Sequence, residues 1–460
     1  MAYTVTERRL VLIACGISAF ITPLLSTMMN LSLVSIGEEF GVGSHSLAYV
    51  NSAFLLSSVI FMVPFAKVGD IFGKRRTYLI GVLIIATACV MAIFSPSFWF
   101  LIFCRVLMGA GSAAITCMSM SMVVDVYPPE MRGGAIGLQT MCVYIGLAAG
   151  PPLGGILNDL IGWHLTFAVI LPMAITSLVL MSMFRREISP DKGGRFDSKG
   201  AMFYGLAIAM LMYGVMNMPE TWAFILMVPG VLFMFLFIRW QSKCPYRLLR
   251  TDLFRNRMFS GSCIATFLSY AASYSISFFL ALYLQHIFDL TATQAGILML
   301  VQPAIQAVGT PVFGRVSDKM SDKRVLPTAG MLVIAVGLLS MMTYGLNTSM
   351  VQIVLTMVVI GVGFSFFSAP NTSIIMGSVP KSETGEASAM TSVMRQSGMM
   401  VSMGVAMLFI SVIMGSADNI SPETYGDFLN VLMYSFATCF AMCILGAFLS
   451  MMRGREVQRR

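Results

Sequence analysis

The sequence predicts an all-α membrane protein built from two six-helix bundles, with two additional transmembrane helices between them in the chain. Three observations predict it. Only 11% of the 460 residues are charged and 57% are hydrophobic, whereas about a quarter of a typical soluble protein is charged. Apolar segments of about 20 residues, the length that crosses a bilayer, recur along the whole chain. One loop motif occurs twice, at corresponding positions. This pattern excludes an ordinary soluble protein and a disordered chain.

The apolar segments number fourteen. The first follows Arg8 and Arg9, is too long for the core of a signal peptide and is therefore predicted to be retained. Short polar turns such as residues 95–97 separate neighbouring segments. We number them as spans 1 to 14, near residues 10–30, 47–66, 77–94, 98–122, 134–158, 164–183, 200–217, 222–239, 260–285, 293–315, 326–346, 350–371, 387–413 and 429–450.

The basic residues give the predicted orientation. Two of the 29 Lys and Arg residues, Arg105 and Arg395, lie inside spans, and the rest lie on the side of the two termini. The opposite loops carry acidic but no basic residues. Because cytoplasmic loops are enriched in Lys and Arg, both termini are predicted to be cytoplasmic, in a multi-pass protein of the plasma (inner) membrane. The net charge of +8 thus follows from topology, and no nucleic-acid partner is predicted.

A repeated loop motif explains the number fourteen. The loop after span 2 reads AKVGDIFGKRR and the loop after span 10 reads GRVSDKMSDKR, so Asp70 and Asp318 occupy matching positions eight spans apart. Two six-helix halves related by a repeat would be six spans apart, so spans 7 and 8 are predicted to be inserted. The predicted boundaries are residues 1–184 for the first bundle, 185–257 for the connecting segment with its two helices, 258–452 for the second bundle and 453–460 for a cytoplasmic tail.

The chain has no sequence pattern of an enzyme or a metal site. Its nine cysteines and three histidines show no zinc or disulfide spacing. No loop is large enough for an active site, and a P-loop is missing, which excludes ATP-driven transport. We therefore expect no catalytic residue, no metal and no cofactor.

Span 5 carries a run of small residues and prolines. Glycines at helical spacing let another helix approach closely in a membrane, and a proline removes a backbone donor and bends the helix. Such residues also serve simple packing, but their number here favours a conformational hinge. The predicted gating residues of this span are Gly137, Gly146, Gly150, Pro151, Gly154 and Gly155.

The loop motif suggests a latch at the cytoplasmic side. Asp70 lies just before span 3, where a carboxylate can bind the exposed amides of a helix start or pair with Arg75 or a neighbouring helix. Because Asp318 repeats it in the second half, we interpret both aspartates, together with Gly73 and Arg75 of the motif, as gating residues.

A cation inside a span is a candidate functional residue because it needs water, a carbonyl or a counter-charge. Arg105 shares one face of span 4 with Ser112 and Thr116, a polar stripe suited to a water-filled cavity. Tyr270 and Tyr274 belong to a second stripe, in span 9. Further candidates for the substrate or proton path, each of which can instead make a structural contact between helices, are Asn30, Gln302, Asn371 and Arg395.

These motifs resemble those of the major facilitator superfamily, and within it the fourteen-helix drug:proton antiporter branch. The resemblance covers about residues 10–450. The loop AKVGDIFGKRR departs from the family signature at Ala66 and Ile71, and RVLMGAGSA of span 4 departs at Met108, whereas span 5 matches the antiporter signature in full. The resemblance implies that spans 4 and 9 line a central cavity, that span 5 seals the cavity against leak, and that the protein works as a monomer.

The acidic residues depart from the family pattern. Family members carry an Asp in span 1 a few residues before an Asn, but Leu25 stands at that position ahead of Asn30. No Asp or Glu lies clearly inside any span, although a coupled proton usually needs a carboxylate or histidine in its path. The remaining titratable candidates lie at cytoplasmic ends (Asp125, Glu383, Glu386) and at outer ends (Asp159, His164).

The sequence therefore predicts a secondary active transporter that binds a small molecule and exports an amphiphile by alternating access, coupled to protons. An importer or uniporter of a neutral or anionic solute is the alternative that the missing carboxylates favour, and a membrane receptor or scaffold is a third. Because Arg105 and Arg395 make the predicted interior positive, neutral or anionic substrates are expected in preference to organic cations.

Overall fold

The computed structural model describes residues 3–188, 195–248, 251–320, 322–379, 384–415 and 420–453. All regular elements in these ranges are helices. Thirteen helices are long and apolar enough to cross a membrane, and a further apolar helix, Val325–Met341, has 17 residues. The predicted all-helical membrane architecture is confirmed.

The helices keep the numbers of the spans that they form. Spans 1 to 14 are Val5–Leu31, Ser46–Phe72, Lys74–Ile93, Phe98–Val126, Gly137–Ile161, Trp163–Met183, Ser198–Met216, Thr221–Lys243, Arg257–His286, Ala292–Ser317, Val325–Met341, Met350–Gly377, Ala389–Met414 and Tyr425–Met452. The helix of span 5 begins earlier, as Pro129–Ile161, and that of span 13 begins at Thr384. A short helix, Leu33–Phe40, lies between spans 1 and 2.

Span 11 is shorter than predicted. The sequence predicts it near residues 326–346, but the helix ends at Met341. In the turn that follows, the backbone N–H of Gly345 donates to the hydroxyl of Thr348 at 2.8 Å. A glycine and short polar side chains offer the backbone such local hydrogen bonds in place of a further helical turn.

Several of the described spans have an irregular turn, among them spans 1, 9 and 10. Span 1 tightens into a 3-10 turn over Met28–Leu31, span 9 breaks between Ala271 and Ser275, and span 10 is divided into Ala292–Met299 and Val301–Lys319. In span 9, the backbone N–H of Ser275 donates to the Ser402 hydroxyl at 2.9 Å. A neighbouring helix thus satisfies a backbone group that the break leaves without its helical partner.

The packing of helices repeats with a shift of eight spans. In the first half, spans 1–6, span 4 packs on spans 2 and 3, and span 1 packs on spans 5 and 6. In the second half, spans 9–14, span 12 packs on spans 10 and 11, and span 9 packs on spans 13 and 14. Glycines at corresponding places bring the backbones together. A Cβ added to Gly111 would lie 2.8 Å from the carbonyl oxygen of Gly81, and a Cβ added to Gly363 would lie 2.9 Å from that of Gly330. The domain boundaries given above stay predictions.

Spans 7 and 8 form a hairpin that contacts both halves. Span 7 packs on span 2 of the first half and on span 13 of the second. The Tyr204 hydroxyl donates to the carbonyl oxygen of Val59 at 3.0 Å, and the Tyr49 hydroxyl donates to Asn217 Oδ1 at 2.6 Å. The hairpin is therefore joined to span 2 near both of its ends.

The two ends of the helix bundle differ in charge. We call the end that holds Arg75 and Arg324 the basic end and the end that holds Asp159 the acidic end. The halves contact each other towards both ends: spans 5 and 10 meet at the acidic end, and Met62 and Val63 of span 2 belong to one buried cluster with Met390 and Val393 of span 13 towards the basic end.

Candidate functional site

One face of span 5 lies directly against the backbone of span 1. Gly146 faces Phe20, Gly150 faces Thr27 and Gly154 faces Met28. An added Cβ at Gly146 would lie 2.5 Å from the carbonyl oxygen of Phe20, and one at Gly154 would overlap the carbonyl group of Met28. These three glycines, spaced by four residues, therefore allow a helix contact that any larger side chain would push apart.

The adjoining face of span 5 meets the second half. An added Cβ at Gly155 would overlap the carbonyl group of Ala292, and one at Gly296 would lie 2.5 Å from the carbonyl oxygen of Pro151. Three of these residues, Gly155, Pro151 and Gly296, thus bring spans 5 and 10 into backbone contact at the acidic end.

A carboxylate crosses the same junction. Asp159 Oδ2 accepts the backbone N–H of Thr293 at 2.9 Å. Thr293 lies in the first turn of Ala292–Met299, where free amides and the positive end of the helix dipole favour a negative charge. Asp159 of the first half therefore stabilises the start of a helix in the second half.

Gly137 differs from the other glycines of span 5. It is exposed, and no atom of the described residues lies within 4 Å of an added Cβ. Among the described residues, the close helix approach predicted for this glycine is therefore not found.

The loop motif forms a tight corner between spans 2 and 3. Gly73 has φ +109°, a conformation that side chains with a Cβ rarely adopt. Glu187 fills the space beside it and its Oε1 accepts the backbone N–H of Arg75 at 2.8 Å. A carboxylate at the start of span 3 is thus Glu187, which the sequence predictions missed.

The basic residues of both loop copies bond to the ends of equivalent helices. Arg75 donates through Nε to the carbonyl oxygen of Met181 and through Nη2 to that of Ser182, both at 3.2 Å. Arg324 donates through Nη1 to the carbonyl oxygen of Met451 at 3.1 Å. Each arginine therefore satisfies carbonyl groups at the end of span 6 or span 14. The side chain of Asp318 lies outside the described residues, so the predicted latch stays a prediction.

Arg105 lies inside the first half. Its side chain is fully buried, Nε donates to the carbonyl oxygen of Val50 at 2.8 Å and Nη1 to that of Leu25 at 3.1 Å. The guanidinium also lies 4.7 Å from the ring centroid of Phe54, which provides a cation–π contact. Carbonyl groups of spans 1 and 2 thus bind Nε and Nη1, whereas Nη2 is buried without a hydrogen-bond partner among the described residues. The water-filled cavity expected from the sequence stays a prediction.

The residues of the predicted stripe of span 4 are also packed within this half. Ser112 is buried, and Thr116 is partly buried. An added Cβ at Gly109 would overlap the carbonyl oxygen of Phe54, so this face of span 4 is closed by span 2. Asn30 takes part in the same packing, since its Oδ1 accepts Asn51 Nδ2 at 2.7 Å.

Asn371 belongs to a buried polar cluster at the basic end of the second half. Its Nδ2 donates to the carbonyl oxygen of Ser262 and to the Thr266 hydroxyl, at 3.1 and 2.9 Å. Its Oδ1 accepts Nη1 of Arg453, which is 3% exposed. Burial, with the nearby positive charge of Arg324, lowers the pKa of Arg453 to about 10. Arg453 carries no distinctive sequence signal, because it follows span 14 like any other positive residue of the basic end.

Polar and aromatic side chains of both halves meet near the middle of the bundle. The hydroxyl groups of Tyr144 in span 5 and Ser368 in span 12 form a hydrogen bond across the junction. Thr310 of span 10 lies close to the Tyr144 hydroxyl, and the Tyr270 ring lies 5.9 Å from that of Phe364. We call these five residues the central cluster.

The other predicted path residues lie around this cluster. The Tyr274 hydroxyl of span 9 forms a hydrogen bond of 2.9 Å with Ser26 of span 1, so it also joins the two halves. Gln302 is partly buried on span 10. Tyr144 was missed by the sequence predictions because a single tyrosine in an apolar span has no distinguishing pattern.

The acidic side chains of the described spans all lie within two residues of a span end. Asp125 forms an ion pair of 2.6 Å with Lys74. His164 Nε2 lies 3.5 Å from Glu39 Oε1 at the acidic end. Glu383 and the side chain of Glu386 lie outside the described residues. In the described part of the chain, no three His, Cys, Asp or Glu residues are grouped so that they could hold a metal ion.

The sequence is similar to that of several transporters. The family model described as Major Facilitator Superfamily matches residues 15–403 and 262–457. Riboflavin transporter RibZ of Clostridioides difficile (strain 630) is 26% identical over 380 residues, 82% of this chain and 83% of the relative. Multidrug resistance protein Stp of Mycobacterium tuberculosis (strain CDC 1551 / Oshkosh) is 27% identical over 402 residues, 86% of this chain and 74% of the relative.

The fold is similar to that of a solved transporter structure. A bacterial homolog of the human lysosomal transporter Spinster, in an inward-facing and occupied conformation, superposes with a TM-score of 0.66. The match covers 98% of this chain and 97% of that chain at 16% sequence identity. At this identity the likeness establishes a common fold.

Proposed function

Because this chain belongs to the major facilitator superfamily, we propose that it is a proton-coupled exporter of small amphiphilic molecules. Family membership makes it a multi-pass membrane transporter and not an enzyme. We further propose that it belongs to the fourteen-helix drug:proton antiporter branch and that it transports its substrate outward in exchange for protons. We place it in the inner membrane of a bacterial-type cell, with the basic end in the cytoplasm.

The glycine face of span 5 is the observation that carries this proposal. Gly146, Gly150 and Gly154 place span 5 against span 1, and Gly155 places it against span 10. One helix thus contacts both halves through backbone at the acidic end. A helix in this position can seal the outer side tightly, as an exporter requires if its substrate is not to leak back.

Alternating access needs contacts between the halves that open in turn. At the acidic end these contacts are small residues and the Asp159 carboxylate, and towards the basic end they are the apolar side chains of spans 2 and 13. In this proposal the two sets of contacts separate in turn while the six-helix halves stay intact.

In this proposal the coupled proton binds a carboxylate at a span end, because the described spans contain no mid-membrane carboxylate. Asp159 is the favoured carboxylate, since it joins the halves at the outer gate. One charge that moves through 100 mV supplies about 2.3 kcal/mol, enough for a roughly fifty-fold gradient. The lack of mid-span acids also favours a second candidate, a uniporter or importer of a neutral or anionic solute, and the name of riboflavin transporter RibZ is compatible with it.

Transport by a span 5 variant tests the proposal. We expect Gly154→Leu to abolish dye efflux from cells that express the protein, because the new side chain overlaps the Met28 backbone. Gly137→Leu is the matched control, since an added Cβ there meets no neighbour. Membrane insertion is checked for both by immunoblot of the membrane fraction. Normal efflux by Gly154→Leu would contradict the role of span 5, and dye accumulation by wild-type cells would contradict the outward direction.

A further inference from the structure

Spans 5 and 13 occupy equivalent positions in the two halves. An added Cβ at Gly146 of span 5 would lie 2.5 Å from the carbonyl oxygen of Phe20 in span 1. An added Cβ at Gly398 of span 13 would overlap the carbonyl oxygen of Phe267 in span 9. Both spans thus pack on the first helix of their half through the same backbone contact, and Gly146 corresponds to Gly398.

A second contact supports this correspondence. Gly150 lies four residues after the glycine of span 5, and an added Cβ there would lie 3.4 Å from the backbone nitrogen of Met28. Ser402 lies four residues after the glycine of span 13, and its hydroxyl accepts the backbone N–H of Ser275 at 2.9 Å. Met28 and Ser275 each follow the first contact carbonyl of their helix by eight residues. Spans 5 and 13 therefore match residue by residue in this region.

The correspondence also applies to a contact between the halves. It pairs Tyr144 of span 5 with Gln396 of span 13, each two residues before its glycine. In spans 4 and 12 it pairs Thr116 with Ser368, each five residues after the glycine that contacts span 3 or span 11. The hydrogen bond between Tyr144 and Ser368 therefore has an equivalent position in the other half of the repeat, at Gln396 and Thr116.

The two equivalent pairs differ in their hydrogen bonds. Tyr144 and Ser368 are bonded to each other and join the halves. Gln396 is 6% exposed, and its Oε1 has no hydrogen-bond partner among the described residues, although spans 4 and 13 lie against each other. The Thr116 hydroxyl therefore does not donate to it. Arg395, its neighbour in the chain, is partly exposed, and its predicted place on the substrate or proton path stays a prediction.

A buried amide oxygen without a donor is unfavourable. Nearly all buried polar atoms in proteins have a hydrogen-bond partner, so the free acceptor of Gln396 requires an explanation. On one side of the junction between the halves, protein groups form the bond themselves. On the equivalent side, the acceptor is present and its donor is missing. A bound substrate that carries the donor would complete the second contact.

The groups at the junction narrow the kind of ligand. A glutamine oxygen accepts an N–H or O–H group. Phe364 lies four residues before Ser368, so both side chains lie on the same face of span 12, and the Phe364 ring lies 5.9 Å from that of Tyr270. Aromatic rings pack favourably on another aromatic body. The ligand that fits is a planar aromatic compound with an N–H or O–H donor on its ring system.

We propose that Gln396 and Thr116 form a substrate-recognition subsite, in which Gln396 Oε1 accepts a hydrogen bond from a donor on an aromatic amphiphile. This inference rests on the proposed function and names its substrate class. Because Thr116 belongs to the first half and Gln396 to the second, a ligand bound here contacts both parts that move in transport. A subsite built around an acceptor discriminates against an analogue that lacks the donor, since the acceptor then stays unpaired.

Binding to the purified full-length protein in detergent tests the subsite without any transport step. The probes are sulforhodamine G, whose amino groups each carry one N–H, and sulforhodamine B, a dye of the same net charge and xanthene ring whose amino groups carry none. Fluorescence polarisation measures their dissociation constants, with protein-free micelles as the blank. We expect the wild type to bind sulforhodamine G about five- to tenfold more tightly, and Gln396→Met to lose this preference by weakening sulforhodamine G alone.

Two controls separate recognition from a structural role. Gln352→Met changes a glutamine at the outer end of span 12 that donates to Thr343, and it should keep the preference for sulforhodamine G. Without ligand, Gln396→Met should melt at the wild-type temperature or above, because it removes an acceptor that has no partner. Thr116→Val keeps the subsite testable if Gln396→Met is not monodisperse, and it should reduce the preference about two- to fivefold.

Equal binding of the two dyes by the wild type, or a Gln396→Met protein that retains the preference, would overturn the inference. A lower melting temperature of unliganded Gln396→Met would assign the glutamine a structural role instead. Coupled export of both dyes at equal affinity would retain the proposed function and lose the subsite. The expected preference in binding, found together with uncoupled or inward transport of both dyes, would retain the subsite and lose the proposed function.

Discussion

At the scale of single residues, backbone carbonyl groups bind several of the positive charges. Arg105, Arg75 and Arg324 all donate to carbonyl oxygens of other helices. Carbonyl groups at helix ends and irregular turns are available acceptors in a membrane, and their use avoids a buried carboxylate, whose desolvation is costly. A cation within a span is therefore visible in the sequence, but its partner is not, because the acceptor is a backbone atom of a distant segment.

The Arg105→Gln substitution tests the structural role of this arginine. We expect it to lower the free energy of unfolding by about 2–4 kcal/mol, because the carbonyl oxygens of Val50 and Leu25 lose their charged donors. Thermal unfolding of the purified protein measures the change. Arg395→Gln serves as the control and should unfold close to the wild-type temperature. An Arg105→Gln protein as stable as the wild type would show that the carbonyl contacts contribute little.

At the scale of elements, a buried carboxylate joins the two helices of the hairpin formed by spans 7 and 8. Asp197 is 6% exposed and precedes span 7. Its Oδ1 accepts the backbone N–H of Gly200 and Trp240 Nε1, both at 2.9 Å. Its Oδ2 accepts Gln241 Nε2 at 2.7 Å. Asp197 thus caps the first turn of span 7 and joins it to the end of span 8.

Replacement of this carboxylate should loosen the hairpin. We expect Asp197→Ala to lower stability by about 1–3 kcal/mol, because three donors lose their acceptor. Glu423→Ala, at an exposed position, is the control and should change stability by less than about 0.5 kcal/mol. Unfolding is followed by the fluorescence of the four tryptophans, of which Trp240 contacts Asp197. Coincident unfolding curves for the two variants would contradict the capping role.

At the scale of the whole molecule, the repeat was predictable and the site was only partly so. Asp70 and Asp318 share a motif that the sequence alone reveals. In the structure, the contact of Gly81 with Gly111 in the first half corresponds to the contact of Gly330 with Gly363 in the second. Tyr144, Glu187 and Arg453 could not be found in this way. Each acquires its contacts only when distant helices meet, and neither a tyrosine in an apolar span nor a charge near a loop is unusual by itself.

The coupled movement of protons and substrate is the central claim, and a flux assay in proteoliposomes tests it most directly. Purified protein is reconstituted with an acidic lumen, and sulforhodamine B is added outside, with protein-free liposomes as the control. The dye should accumulate in the lumen, a trapped pH indicator should report proton loss that depends on the dye, and nigericin should abolish both signals. Equilibration of the dye at the same rate without a pH gradient, and with no dye-dependent proton movement, would contradict the claim and identify a uniporter.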